Sequence, residues 1–552
     1  MLFSHICIGG GVTGIETLIS SINILIIKLK SNNIKKKIYK RTKILFGVIE
    51  KNPSNIPGGI AYGFEKSQYG YFNNPVRLSP INFTKLICNK KNKNLLVNYL
   101  NKHGGYTGSI WLKKNKKKLF SKNIKNLDEL YLPRVLVNFW MEQRLCSLMN
   151  DVKEFNKRSS INIEIKFLKG ELISIKKHEK NLYRLFFKNS SCQELGFRIN
   201  KKKLKKINFF NKKMIKNKIN TSSQSIGLGL APPKQIATKK AQKNNFYIWD
   251  FYDEGSTGYL IKKITQLSKI KKKIKIYFIG YKAGLLESLP ELYQYVLIKK
   301  LNVDLICSSK DLQSINSATF SKNKEIFKPK ILKNNNLKKI DTAKQLYESI
   351  SRELKESKKN NFNIYDAWTY ILTKNIIFKC FKNFNADQKK KYNDYFHSKI
   401  RNITRFTYPE TIFAREMLIK NNILHAKKEI VKKIDYINKD LIVQSISDKA
   451  TKKIYKCDIV VNVSGPLNVD NIKTESSVIA SIKKLGAKIG SSGFIANENF
   501  EIQGLKNTYM PGTLARGFNP ERKTIINAIL KNSKKIGQIV GIRIFTQIKS
   551  LF

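Results

Sequence analysis

Short apolar runs that end in small residues and then pass into helical patterning recur along the chain. Phe3-Ser4-His5-Ile6-Cys7-Ile8 predicts a strand that enters Gly9-Gly10-Gly11-Val12-Thr13-Gly14, and the apolar positions from Ile15 to about Lys28 predict a buried helix. Lys43 to Ile49 predicts a second strand, ending in Glu50, with the polar, lysine-rich stretch from Ser31 to Arg41 read as an insertion before it. Ile226 to Pro233 reads as an apolar strand breaking into a Gly/Pro turn. Ile274 to Ile279 enters Gly280-Tyr281-Lys282-Ala283-Gly284 and a helix, and Val303 to Cys307 follows as a parallel strand, which completes a βαβ unit. Ile459 to Val463 ends in Ser464-Gly465-Pro466, and Tyr509 to Gly517 leads into a helix from about Thr524.

Strands that alternate with turns and helices predict an α/β fold with parallel sheets. At 552 residues the chain is long enough for three or four domain-sized units. The expected arrangement is two Rossmann-like dinucleotide-binding domains, the second inserted in the first, with a helical cap. The boundaries are 1–235 for the first part of one nucleotide domain, 236–345 for the second, 346–425 for the cap and 426–552 for the return. Asn200 to Asn220 reads as a low-complexity connector and Ser321 to Lys359 as a surface excursion. The aromatic, helical stretch Ile364 to Ile419, with Trp368, Phe396 and Phe406, reads as a packed cap and as a substrate-pocket wall, two compatible readings.

Charge changes the picture less than its size suggests. The formal net charge is +66, which by itself points to nucleic acid or an anionic membrane. Lysine far outnumbers arginine, however, and is spread through helices, strands and loops alike, as compositional drift would leave it. A nucleic-acid groove gathers Arg and Lys on one face between aromatics, so nucleic acid is not the expected partner. Seven cysteines stand singly with no C-x-x-C pair, which argues against a disulfide framework, a zinc ribbon and a dithiol redox centre. No metal site is expected. With no leader before the first strand and no apolar run near 20 residues, the expectation is a soluble cytoplasmic protein without a membrane span.

The chemistry lies in the turns. Gly9 permits a tight turn, Gly11 a close backbone approach and Gly14 tight helix packing, while the helix presents free amides and a positive dipole end to phosphates. Glu50 can accept hydrogen bonds from ribose hydroxyls. Gly280 opens a second such turn, but Lys282 stands where glycine would allow the backbone to approach a diphosphate. Ser309 and Lys310, after the next strand, are placed to meet a 2′-phosphate, which favours NADPH. Gly512 precedes a helix end and can meet a second part of a cofactor.

These residues resemble the FAD-NAD(P)-binding family of flavoproteins with two dinucleotide-binding domains, related to flavin-dependent N-hydroxylating and Baeyer–Villiger monooxygenases. The resemblance rests on Ile8 to Gly14, on Pro57-Gly58-Gly59-Ile60-Ala61-Tyr62-Gly63, and on Phe72-Asn73-Asn74-Pro75. It extends to Leu132-Pro133-Arg134, to Gly229 with Pro232-Pro233, to Val463-Ser464-Gly465-Pro466, and to Gly512 through Gly517. It implies that Gly9, Gly11, Gly14 and Glu50 bind the adenosine and diphosphate of FAD, with Ala61, Tyr62 and Asn73 near the isoalloxazine and Gly465 and Gly512 at the cofactor. No Baeyer–Villiger histidine signature stands between the nucleotide domains, where Trp249-Asp250 lies instead.

The resemblance further implies an FAD-dependent oxidoreductase, an NAD(P)H-using monooxygenase that inserts one oxygen atom into a small-molecule or carrier-bound, for instance polyketide, substrate of specialised metabolism. An anionic oxygenated flavin needs a fixed positive neighbour, and Arg134 and Arg516 are the candidates. A flavin dehydrogenase or oxidase without oxygen insertion, an RNA-binding tRNA-modifying flavoprotein, and a flavin-binding partner subunit that has lost its second nucleotide site remain the alternatives.

Overall fold

The strand His5–Ile8 is buried at all its positions, as an uninterrupted apolar run requires of a strand covered on both faces. A computed structural model describes residues 1–552 apart from 32–41, 63–69, 77–78, 80–82, 84–89, 122–129, 180–181, 201–205, 216–218, 228–232, 252–255, 282, 311, 313–314, 322–326, 466–476, 491–492, 513–524 and 551–552. The opening strand lies within a seven-stranded sheet in the order Lys206–Ile215, Cys192–Asn200, Ile161–Lys169, Thr42–Glu50, His5–Ile8, Gln224–Ile226, Thr508–Tyr509. The last five of these run parallel, and the first two add an antiparallel hairpin at the edge.

The helix Val12–Ser31 leaves the first turn and packs against the last helix, Ile525–Lys549, so the two ends of the chain close one unit. Gly537 and Gly541 make that approach possible. A Cβ on Gly541 would stand 2.0 Å from Ile24 Cγ2, and one on Gly537 2.5 Å from Ser20 Cβ. Val12–Ser31 is the one described helix long and apolar enough to cross a bilayer, yet 72% of its apolar window is buried inside the protein.

A second seven-stranded sheet is built from residues between the strands of the first, in the order Tyr247–Ile248, Ile459–Asn462, Ile274–Ile279, Val303–Ser309, Leu424–Ile437, Asp440–Ser447, Lys452–Cys457. Its first five strands are parallel, and the last two add antiparallel pairings at the edge. The architecture is therefore α/β with two dinucleotide-type sheets, one inserted in the other. The inserted unit is longer than the expected 236–345. Residues 424–462 belong to it, so the chain returns to the first sheet only at Thr508–Tyr509 and not from 426. Val460 and Val461 pair with Tyr277 and Phe278, and burial on both faces makes such a strand unreadable as to which sheet it joins.

Two lysine-rich stretches are more ordered than their composition suggests. Lys206–Ile215, expected as part of a connector, is a strand paired along its length with Cys192–Asn200, because Ile207 and Ile215 bury while Lys212 and Lys213 face water. Ala343–Lys359, expected in a surface excursion, is an amphipathic helix that opens on a Thr342/Gln345 capping box and buries Leu346, Ile350 and Leu354. With Ile371, Ile377 and Ile400 these form a core private to a helical unit. The pairing of Asn316–Ser317 with Phe406–Thr407 brings the two ends of that unit together.

Candidate cofactor and substrate site

Sheet polarity brings the carboxyl ends of the five parallel strands of the first sheet to one edge, where open α/β sheets bind ligands. Gly9 turns with φ +99°, and its amide bonds Ile49 O at 2.8 Å. A Cβ there would fall 2.3 Å from Gly227 O, and one on Gly14 2.0 Å from Gly9 O, so both positions are closed to any side chain. Gly11 faces the Gly58-Gly59 segment, where its Cβ would stand 2.9 Å from Gly59 Cα. The amides at the start of the helix have no carbonyl of their own helix to bond, and its first turn holds no acid. Gly9, Gly11, Gly14 and Glu50 thus converge on one turn at the strand ends.

Glu50 accepts the Gly10 amide at 2.7 Å and the Asn52 amide at 3.2 Å. Its carboxylate is held at the strand end and keeps lone pairs for a further donor. Gly512 follows Tyr509 at the same sheet edge, and among the described residues no atom lies within 4 Å of where its Cβ would be. The Gly9 to Gly14 cradle, the fixed carboxylate and the open space at Gly512 fit a dinucleotide. Arg516 lies outside the described residues, as do Gly229 and Pro232. Ala61 and Asn73 lie on the short helix Gly59–Tyr62 and the strand Tyr71–Pro75 respectively.

The second turn repeats the first in part. Gly280 has φ +110°, and a Cβ on it would meet Ser464 Cα at 2.9 Å; a Cβ on Gly284 would meet Val463 Cγ1 at 2.9 Å. Gly465, φ +94°, follows the strand that packs there, so Gly280 and Gly465 belong together at the edge of the second sheet and not at the first. Lys282 lies outside the described residues. Lys310 is exposed at the end of the strand Val303–Ser309.

Between the two units sits a polar joint. Arg134 donates Nη1 to Glu287 Oε2 at 2.8 Å, donates Nη2 to Glu287 Oε1, and donates Nε to Tyr71 O at 3.1 Å. Arg134 belongs to the first unit and Glu287 to the helix Ala283–Tyr293 of the second. One turn along that helix, buried Glu291 accepts Thr107 Oγ1 at 3.0 Å, and Thr107 in turn accepts the Gly70 amide at 3.0 Å. Glu291 Oε2 has no hydrogen-bond partner among the described residues. Burial pushes the Glu291 carboxyl up to about 7, with the Thr107 hydrogen bond and Arg134 opposing. Tyr62 stacks on Phe72 at 6.1 Å, and burial pushes its phenol up to about 12, with Arg134 and Glu287 close by. Two carboxylates and one guanidinium therefore meet here. Sequence reasoning found Arg134 and Tyr62 but missed Glu287 and Glu291, which the i, i+4 spacing on one helix face could have paired.

Beside the joint is a cavity of about 280 Å³ whose lining includes Tyr71, Trp111, Lys114, Tyr131, Phe320 and Glu410. Trp111 Nε1 donates to Tyr131 O at 2.8 Å, and Tyr131 Oη donates to Ala318 O. Both aromatic walls are held by hydrogen bonds of their own. Trp368 and Phe396 pack on the private core of the helical unit and are not among the residues that line this cavity. The unit supports the cavity through a ring contact from Tyr365 to Phe320 at 4.8 Å, with Phe406 behind Tyr365 at 5.0 Å.

No protein-family model matches the chain, and no curated protein matches its sequence. Among solved structures, the ornithine N-hydroxylase KtzI of Kutzneria sp. 744, in complex with reduced FAD, NADP+ and L-ornithine, aligns with a TM-score of 0.52 over 98% of this chain and 100% of its own, at 9% identity. The FAD-bound cadaverine monooxygenase DfoA of Erwinia amylovora aligns at 0.48 over 98% and 94%, at 10% identity. The reduced ornithine hydroxylase PvdA of Pseudomonas aeruginosa aligns at 0.47 over 99% and 100%, at 10% identity. With the strand orders above, the match to the Kutzneria enzyme over its whole length shows that this chain has the fold of the flavoproteins with two dinucleotide-binding domains.

Proposed function

We propose that the chain is an FAD-dependent oxidoreductase, an NAD(P)H-using monooxygenase that inserts one oxygen atom into a small-molecule or carrier-bound substrate of specialised metabolism. The observation that carries this reading is the pair of glycine turns at the edges of two sheets, with a walled cavity beside the joint between the two units. Bound FAD would supply the electron transfer and the activation of oxygen.

The chain's own residues have separable tasks. The Gly9 to Gly14 turn and the amides of its helix hold the diphosphate, while Glu50 takes the ribose hydroxyls. Gly280 and Gly465 shape the second turn for the nicotinamide nucleotide, and Lys310 stands where a 2′-phosphate selects NADPH. Arg134 orients the segment Gly70 to Phe72 beside the flavin by holding Tyr71 O, and Glu287 fixes the guanidinium. The walls at Tyr71, Trp111 and Tyr131 exclude water from the substrate, and Lys114 supplies a cation at the rim. In the Kutzneria protein the same fold is named with reduced FAD, NADP+ and an amino-acid substrate, which supports a redox enzyme with both nucleotides.

The test is to purify the protein, record its visible spectrum, and add NADPH or NADH without oxygen. A yellow protein bleached by NADPH, and label from isotopic oxygen in the product, is the expected outcome. Peroxide without labelled product would make it an oxidase, and a colourless protein that refuses FAD would end the proposal.

A further inference from the structure

The cavity beside the joint has a dry floor and a charged mouth. Trp111, Leu130 and Ala318 are buried, whereas Lys114 and Glu410 are 58% and 44% exposed and stand 3.9 Å apart. One face of the helix Gly105–Phe120 supplies a wall: Trp111, Lys114, Asn115 and Lys118 recur at the three- and four-residue spacing that sets side chains in a row. A row that faced a protein core would be apolar throughout. Here it is aromatic at the floor and basic at the mouth.

Most polar groups of the lining are already committed within the protein. Trp111 Nε1 and Tyr131 Oη donate to backbone carbonyls, and Tyr71 Oη donates to Thr107 O at 3.5 Å. Asn115 Nδ2 donates to Trp111 O at 3.0 Å, and Thr319 Oγ1 shares a hydrogen bond of 2.6 Å with Ser317 Oγ. What remains for a ligand is the charge at the mouth. Glu410 answers Lys114 at a distance longer than a hydrogen bond, and Lys118 makes no ion pair among the described residues. The lining thus carries two cations and one anion, and a ligand that brings one negative charge balances it. The volume of about 280 Å³ equals that of about nine water molecules at roughly 30 Å³ each, which suits a single ring on a short chain.

We infer that this cavity binds an apolar carboxylic acid, its body against Trp111, Tyr131 and Phe320 and its carboxylate between Lys114 and Lys118. The rings offer contact area without asking for a hydrogen bond, since the Trp111 and Tyr131 polar atoms are satisfied. An amine is the wrong ligand on two counts. At the floor no carboxylate of the lining would meet it, and at the mouth it would face two ammonium groups. Glu410 competes with the ligand for Lys114. That the acid is the molecule oxygenated rests on the proposed function; that it binds rests on the cavity alone.

The experiment is calorimetric titration of the full-length protein, as purified, with 3-phenylpropanoate, 3-phenylpropanamide and 3-phenylpropylamine at fixed ionic strength. These probes share a ring and differ in the charge at the end of the chain. The acid is expected to bind roughly tenfold or more tighter than the amide, and the amine more weakly still. Lys118→Gln should bring the acid down to the affinity of the amide; unchanged amide binding shows that the variant has folded. Glu410→Gln should tighten the acid severalfold, because Lys114 is released to it. Lys116→Gln removes the same charge from the same helix outside the lining and should leave all three probes unchanged, which separates a site from general attraction to a basic surface. An acid that binds no better than the amide, an acid indifferent to Lys118→Gln and Glu410→Gln, or no binding of any probe overturns the inference. So does an amine that binds best, which would make the rings a cation cage. A yellow protein bleached by NADPH that lacks the preference for acid keeps the proposed function and loses the inference. A colourless protein that prefers the acid through Lys118 keeps the inference and loses the flavin reading.

Discussion

Arg134 and Glu287 face each other across the boundary between the two nucleotide units, 16% and 13% exposed, with both guanidinium arms on both carboxylate oxygens. A shielded pair of this kind is costly to break from one side, because the partner is left charged and unpaired. Arg134→Ala should therefore destabilise the protein by about 3 to 5 kcal/mol, and Glu287→Ala by a similar amount. Replacing both by Met and Leu should recover most of that loss. Urea unfolding of the three variants measures it, and a double variant no better than the singles would mean that the pair is not coupled.

Glu291 predicts a pH dependence of stability with a definite sign. Its carboxyl is raised in the folded protein to about 7 from an ordinary value of 4.5, chiefly by burial, so the folded state holds a proton that the unfolded state has lost. Stability should fall as pH rises from about 4.5 to about 7 and then level, with a total near 3 kcal/mol at roughly 1.4 kcal/mol per unit. Glu291→Gln removes that slope. The stability difference between wild type and variant, measured from pH 4.5 to 8.5, should move against wild type through this window; a constant difference would show that Glu291 does not titrate there.

Five buried cysteines should be silent in the native protein. Cys7, Cys307, Cys380 and Cys457 are buried, and burial pushes each thiol up to about 12, while Cys192 rises to about 11. Reaction needs the thiolate and access to it, and these five have neither. A thiol reagent at pH 8 is expected to label them only as the chain unfolds. Rapid native labelling of Cys307 would show that the strand Val303–Ser309 opens locally.

How much of this was legible in the sequence depends on how local the signal is. Gly9, Gly14 and Glu50 could be read because a turn and the strand ends around it are set by residues near in sequence. The assignment of Ile459–Asn462 to the second sheet could not, because an apolar run of four carries no mark of its neighbours. Lysine masked the strand Lys206–Ile215 and the helix Ala343–Lys359, since a long charged side chain sits equally well on the wet face of either element. The joint was half visible. Arg134 stood out beside a proline in a known pattern, but Glu287 and Glu291 acquire meaning only when their helix is laid against Thr107 and Tyr71.

Gly14 and Gly512 allow the cofactor site to be separated from the fold that carries it. A methyl on Gly14 would lie 2.0 Å from the carbonyl oxygen of Gly9, a backbone atom at the centre of the turn, so the helix must lift off the sheet to admit it. Gly14→Ala is therefore expected to lower the stability of the apoprotein and to abolish flavin retention together. Among the described residues a methyl on Gly512 meets no atom within 4 Å, so Gly512→Ala should leave the apoprotein within about 0.5 kcal/mol of wild type. Any loss of FAD affinity in that variant then comes from contact with the cofactor itself. Denaturation of the two apoproteins, followed by fluorescence titration with FAD, gives the answer: reduced flavin affinity with unchanged apoprotein stability in Gly512→Ala locates the cofactor at that loop. Unchanged affinity would place the flavin away from the Gly512 loop while leaving the Gly9 to Gly14 turn as its anchor.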